Sequence, residues 1–150
     1  MSKKIIATNR KAFHDYFIED RYEAGIELVG TEIKSIRNGA VQLKDSYVDF
    51  VNGEAFIRDL YIAQYDYGNR FNHEERRLRK LLLHKHEINK LMKTVTLKGY
   101  TVVPLSIYLI KGKAKLEIAL AKGKARYDKR ETEREKSAQR DIERALKNQY

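Results

Sequence analysis

The 150-residue chain has no cysteine, no tryptophan, one proline and only eight glycines. Without cysteine there is no disulfide framework, no thiolate metal site and no cysteine nucleophile. Its apolar runs are only a few residues long, whereas a bilayer span needs about 20. The opening Met1-Ser2-Lys3-Lys4-Ile5-Ile6 is basic but lacks the apolar stretch of a signal peptide. A nucleotide-binding glycine loop is also missing, because Ala121-Lys122-Gly123-Lys124 lacks the first glycine and the spacing of one. These absences point to a cytoplasmic protein with no membrane partner and no nucleotide cofactor.

What the chain does have is charge, and most of it has one sign. The formal net charge is +10. Met1–Ala121 carries 21 Lys or Arg against 15 Asp or Glu, and Lys122–Tyr150 carries ten against six, so the C-terminal stretch is the more basic per residue. A balance of this kind favours polyanions, nucleic acid before anionic membrane. Composition changes at Lys122–Arg130: alternating apolar and polar residues precede it, and twenty charge-dense residues without Pro or Gly follow. The expected division is a body, 1–121, and a basic tail, 122–150.

Within the body, Tyr22–Val29 reads as strand, with Tyr22, Ala24, Ile26 and Leu28 on one face and Gly25 marking a bulge or a close backbone approach. Thr31 is placed to cap a short helix, Glu32–Arg37, from which Lys34 and Arg37 project. Ser46–Val51, Asn52-Gly53 and Glu54–Ile62 read as a hairpin. Thr101–Ile110 and Lys115–Ala121 are two further strands, with Pro104 at an edge or bulge. Arg76–Val95 has helical spacing, as one helix or two bent near His84–His86, with Arg77, Arg79 and Lys80 on its basic side. About six short strands without a strand–helix–strand repeat favour an oligonucleotide-binding-type (OB-like) antiparallel β-barrel. The expected fold is mainly β, with about three α-helices and a flexible C-terminal tail.

No catalytic constellation emerges. His84 and His86, with His73, could be considered as metal ligands, but i, i+2 spacing on a helix points two rings to different faces. They read as surface histidines among basic neighbours. Asp45, Asp49 and Glu54 could form a nuclease-like set, but Glu54 lies across a turn from the other two. The one-sign helix suits phosphates, because ordinary surface helices mix signs to form i, i+4 pairs. On a tail helix, Lys129, Lys136, Arg140, Arg144 and Lys147 would share about a third of the circumference. Ala138, Ile142, Ala145 and Leu146 would lie opposite, too small a face to offset the ordering entropy without a partner. The residues alone leave three readings open: a dedicated RNA adaptor, a general RNA chaperone or translation factor on single strands, and an RNA-processing nuclease.

Nine segments in order resemble one family, small protein B, the SsrA-binding (tmRNA-binding) protein of bacterial trans-translation. They are Asn9–Ala12, His14–Tyr16, Tyr22–Ile26, Gly30–Gly39, Asp45–Tyr47, Asn52–Ala55, Arg79–His84, Lys98–Leu105, and Ala121–Lys124 continuing to Tyr127–Arg130. The resemblance implies an OB-like barrel and a tail unstructured in the free protein and helical on the ribosome. It implies binding to the tRNA-like domain of tmRNA and delivery, with elongation factor Tu acting through charged tmRNA, to stalled ribosomes. The implied partners are tmRNA and the ribosome, at its small-subunit decoding centre and messenger channel. A monomer with no enzymatic activity, no cofactor and no metal is implied as well. Carried over by residue, the tmRNA surface includes Asn9, Glu23, Leu82 and Lys115, joined by His14, Lys34, Arg37, Arg77, Arg79 and Lys80 from the basic elements. The tail residues matched to the decoding region are Gly123, Lys124, Tyr127, Asp128, Lys129 and Arg130, followed by the Lys136, Arg140, Arg144, Lys147 stripe. Three positions depart from the family pattern: Glu75 replaces a common Pro, Ala125 a common Lys and Tyr127 a common His.

Overall fold

A computed structural model describes residues 3–66, 72–97 and 99–124. In chain order the elements are β1 (Lys4–Thr8), α1 (Arg10–Asp15), β2 (Tyr16–Ile26), α2 (Gly30–Arg37), β3 (Val41–Gln42), β4 (Tyr47–Val51) and β5 (Glu54–Arg58). They continue with β6 (Tyr61–Ile62), β7 (Arg79–Leu82), α3 (Lys85–Val95), β8 (Tyr100–Ile110) and β9 (Lys113–Gly123). The main sheet is antiparallel in the order β1-β8-β4-β5-β7-β2-β9, and β8 pairs with β9 as well. That extra pairing closes a ring of six strands. One edge of β8 is shared by β1, opposite Ser106–Leu109, and β4, opposite Val102. The other edge is lined by β9 over its whole length. The six-strand barrel read from the sequence is therefore present, with β1 appended and β3–β6 as a separate pair.

Local chemistry explains the ring's corners. Asn52 and Gly53 have φ of 53° and 77°, and Lys111 and Gly112 have 52° and 76°. Two consecutive left-handed residues match the twist of the strands they join, so both hairpins close tightly. Pro104 sits at a register shift between β8 and β9, as its missing amide requires. The core is aliphatic and drawn from the strands: Ala24, Ile57, Leu81, Val102, Ile107, Leu116 and Ile118 are all essentially sealed from solvent.

Several expectations change. Arg76–Leu82 is not helical. Arg79 and Leu81 are buried while Leu82 faces out, a period of two that inserts β7 between β5 and β2. The helical reading failed because one of the two inward residues is an arginine, whose partner Glu32 lies 47 residues earlier. The helix begins only at Lys85, with Ile88 and Leu91 buried. Thr31 does not cap α2. Glu32 does, its Oε1 accepting from the Val29 amide at 2.9 Å. The Thr31 hydroxyl instead meets His73 Nδ1 at 2.8 Å, and His73 Nε2 donates to the Ile62 carbonyl at 2.9 Å. His73 is thus a buried tie between α2 and β6, not a surface histidine. A short helix, α1, also stands where no element was expected, with Asn9 as its cap.

Candidate nucleic-acid interface

The barrel wall carries a groove of about 500 Å³ where β7, β2 and β9 lie side by side. Register sets its floor. Gly25 on β2 pairs with Leu82 on β7 and with Lys115 on β9, so these three residues form one row across three strands. A Cβ at position 25 would lie 3.2 Å from Leu82 Cβ, so glycine is what lets Leu82 fold over the strand. This close approach was legible in the sequence as a glycine inside a strand, though Gly25 was not read as part of the site. Leu82 remains 51% exposed, an apolar platform in a polar setting. Glu23 and Lys80 line the same groove, as does His84.

The side chains around the platform divide by partner. Lys80 reaches Glu54 at 3.3 Å with both groups well exposed, a pair that water screens and that a phosphate can displace. Among the described residues no lysine or arginine pairs with Glu23. Its Oε2 accepts from the Tyr108 hydroxyl at 2.6 Å. Leu82 and Lys115 also border a second groove of about 340 Å³ that runs to Ile33 of α2 and Gly112. Arg37 reaches that end: one of its terminal nitrogens lies 3.9 Å from where a Cβ on Gly112 would stand. Cations, an exposed leucine and one carboxylate acceptor are thus set along a continuous stretch. Cations meet phosphates, an apolar surface carries a base or sugar face, and a carboxylate accepts from a base amino group or a ribose hydroxyl.

The remaining candidate residues lie elsewhere. Arg79 is fully buried against Glu32 and donates to the carbonyl of Leu60 at 2.6 Å and of Glu75 at 3.0 Å, so it has no access to RNA. Arg77 holds the other oxygen of Glu32 at 2.7 Å from a half-exposed position. Burial alone pushes the Glu32 carboxyl upward. Hydrogen bonds from Arg77, the Val29 amide and Arg79 outweigh it and hold Glu32 below the ordinary carboxylate range. Asn9 is also buried: Oδ1 accepts from the Ala12 amide at 3.2 Å and Nδ2 donates to the Pro104 carbonyl at 2.9 Å. Both correct the expectation of direct RNA contact, because their polar atoms are engaged inside the fold. His14 lies on α1 beside Asp15 at 2.8 Å, at the far end of β2 from Glu23. Lys34 projects from α2 over the Tyr65 ring at 5.3 Å.

Gly123 ends β9, and both it and Lys124 are tied to the barrel by backbone bonds. The Gly123 amide donates to the Gly99 carbonyl at 3.0 Å, and the Lys124 amide to the Asp15 carbonyl at 2.9 Å. The described barrel contacts therefore run at least as far as Lys124, three residues beyond Ala121. An aromatic and basic patch surrounds this end, with Lys124 Nζ 5.3 Å from the Phe17 ring and Lys122 Nζ 5.8 Å from the Tyr100 ring. Tyr127, Asp128, Lys129, Arg130, Lys136, Arg140, Arg144 and Lys147 lie outside the described residues. The candidate catalytic carboxylates do not converge. Asp45 meets Lys11 at 2.8 Å, Asp49 meets Arg58 at 2.6 Å, and Glu54 meets Lys80. His84 and His86 stack with ring centroids 5.6 Å apart, so they do not point to different faces as the helical spacing suggested.

Comparison with known proteins agrees with this architecture. The family model described as SmpB protein matches residues 6–148. The SsrA-binding protein of Clostridium tetani is 58% identical over 146 residues, covering 97% of this chain and 94% of its own. The SsrA-binding protein of Geobacillus thermodenitrificans is 57% identical over 144 residues, covering 96% and 93%. A chain from the structure described as "tmRNA-SmpB: a journey to the center of the bacterial ribosome" superimposes with a TM-score of 0.69 at 49% identity, over 83% of this chain and 92% of that one. With nearly its whole length matched and the six-strand barrel in place, the chain belongs to the SmpB protein family.

Proposed function

We propose that this protein is an adaptor that binds the tRNA-like domain of tmRNA through the Glu23–Leu82–Lys115 groove and delivers it to stalled ribosomes for trans-translation in the cytoplasm. The observation that carries the reading is the row Leu82–Gly25–Lys115 with Glu23 beside it. It occurs in a chain 49% identical to one solved in the tmRNA–SmpB work. The action is binding and not catalysis, which agrees with three candidate carboxylates each held by a different cation. The groove supplies the contacts that distinguish one RNA, and the cations around it supply affinity that salt weakens.

The decisive experiment is recovery of the tagged full-length protein from cells followed by sequencing of the bound RNA. tmRNA should be the dominant enriched species. A broad mixture of single strands would instead make the protein a general RNA chaperone.

A second part of the proposal concerns the basic tail, whose cations would lie along ribosomal RNA where messenger is absent. Ending the chain after Lys124 keeps β9 whole and removes Ala125–Tyr150. We expect tmRNA affinity to stay within about threefold, because the groove is untouched, while peptide tagging in a reconstituted reaction is lost. Replacing Lys129 and Arg130 with alanine should impair tagging in the same direction. Full tagging by both variants would sink the channel reading and leave the groove reading standing.

A further inference from the structure

We infer that Tyr108, which is itself inaccessible to RNA, is a positioning residue for recognition, its hydroxyl fixing the Glu23 carboxylate as the groove's oriented acceptor. This inference rests on the groove reading above. Tyr108 lies on β8, across from Lys115 on β9, and is 1% exposed. The Lys3 ammonium covers its ring at 4.0 Å. Its hydroxyl donates to Glu23 Oε2 at 2.6 Å, spanning 85 residues of sequence. Glu23 Oε1 has no protein donor among the described residues.

The neighbouring carboxylate shows why this arrangement is selective. Glu117 is the β9 partner of Glu23 in the β2–β9 register. Two like charges directly opposite would repel. Glu117 is neutralised by Arg21 at 3.2 Å and Lys3 at 3.8 Å, while Glu23 receives only a neutral phenol. A neutral donor fixes the direction of the carboxylate without cancelling its charge. Such a group repels phosphate and accepts from base amino groups or ribose hydroxyls, so it discriminates among RNAs instead of adding bulk affinity. Burial, then the bond to Glu23, pushes ionisation of the Tyr108 hydroxyl far upward, so it remains a donor at any physiological pH.

The test measures binding of the full-length protein to tmRNA and to bulk tRNA across a salt series. Tyr108→Phe keeps the buried ring and removes one oxygen. We expect tmRNA affinity to fall on the order of five- to tenfold, as for loss of a charge-assisted hydrogen bond, with tRNA affinity and the salt slope unchanged. Glu23→Gln should give a similar loss, and the double variant should be no worse than Glu23→Gln alone, because the two act as one unit. Additive losses, or a loss shared equally by tmRNA and tRNA, would assign Tyr108 a purely structural role and overturn the inference. Unchanged tmRNA binding by Tyr108→Phe would overturn it too, while leaving the groove reading intact if Glu23→Gln still weakens binding. Unchanged binding by Glu23→Gln would overturn both. Should Tyr108→Phe not fold, Glu23→Asp breaks the same bond from the exposed end by shortening the side chain. It should then reproduce the loss and the altered tmRNA-to-tRNA ratio, and wild-type behaviour would count against the inference.

Discussion

Glu32 on α2 and Glu23 on β2 have opposite surroundings. Glu32 is sealed between Arg77 and Arg79 and joins α2 to β7. Glu23 is exposed, with a neutral phenol behind it and open solvent in front. A carboxylate surrounded by cations is consumed in holding the fold. One surrounded by neutral donors keeps its charge available to a ligand. The same division separates Arg79, engaged inside, from Lys115, which lines the groove. Charge counted from composition does not tell the two kinds apart, although only the second kind is open to a ligand.

The largest expected effect breaks the buried half of this comparison. Arg79→Met strips Glu32 of one partner in a site sealed from solvent, and removing one member of a buried pair costs about 3–5 kcal/mol. We expect the lower figure in urea unfolding, because Arg77 still reaches Glu32 at 2.7 Å. Changing Glu32 to leucine as well should restore much of the loss. tmRNA affinity of the folded fraction should be unchanged in both variants.

Acid should expose the same asymmetry more gently. The folded pKa of Glu32 lies below its ordinary value of 4.5, so its stabilisation is fully present above that pH. It is lost as pH falls through the lowered folded pKa. Unfolding free energy followed from pH 6 to pH 3 should therefore decline more steeply in the wild type than in Glu32→Gln. Equal slopes would show that the buried ion pairs contribute little to acid sensitivity.

On the exposed half, Lys115→Met should weaken tmRNA and non-cognate RNA alike and lower the salt slope by about one, the signature of a single phosphate contact. Its thermal melt should move little. The smallest expected effect is Gly25→Ala. Its new Cβ meets Leu82 at 3.2 Å, so strands β2 and β7 must part slightly, for about 1 kcal/mol of stability and a roughly twofold loss of tmRNA affinity.

Much of the barrel was legible in the sequence because its hairpins are locally encoded. Asn52-Gly53 and Lys111-Gly112 mark their own turns, and Ala24, Ile26 and Tyr22 alternate as a half-buried strand must. The segment before α3 was not legible. Its inward residue is an arginine, and no periodicity of apolar residues reveals a charge that is neutralised from 47 positions away. The same limit placed His73 on the surface, and the resemblance alone placed Asn9 there. Each is a polar side chain whose hydrogen bonds are to distant backbone, Asn9 to Pro104 and His73 to Ile62. Glu23, Lys80, Leu82 and Lys115, scattered in sequence, line one groove because three strands lie in register there. Tyr108 went unread because its partner is 85 residues away.

The closure of the ring also bears on how the molecule comes into being. β2 spans Tyr16–Ile26, and its long partner β9 spans Lys113–Gly123, so the seam joins an early strand to one nearly a hundred residues later. β1 waits in the same way for β8. The early strands therefore emerge during synthesis with unpaired edges and open apolar faces. Folding dominated by distant pairings is slow, and such intermediates are prone to aggregate. Until β9 arrives, the Lys115 wall of the groove does not exist. A nascent chain therefore cannot engage RNA through this groove before synthesis has passed the last strand.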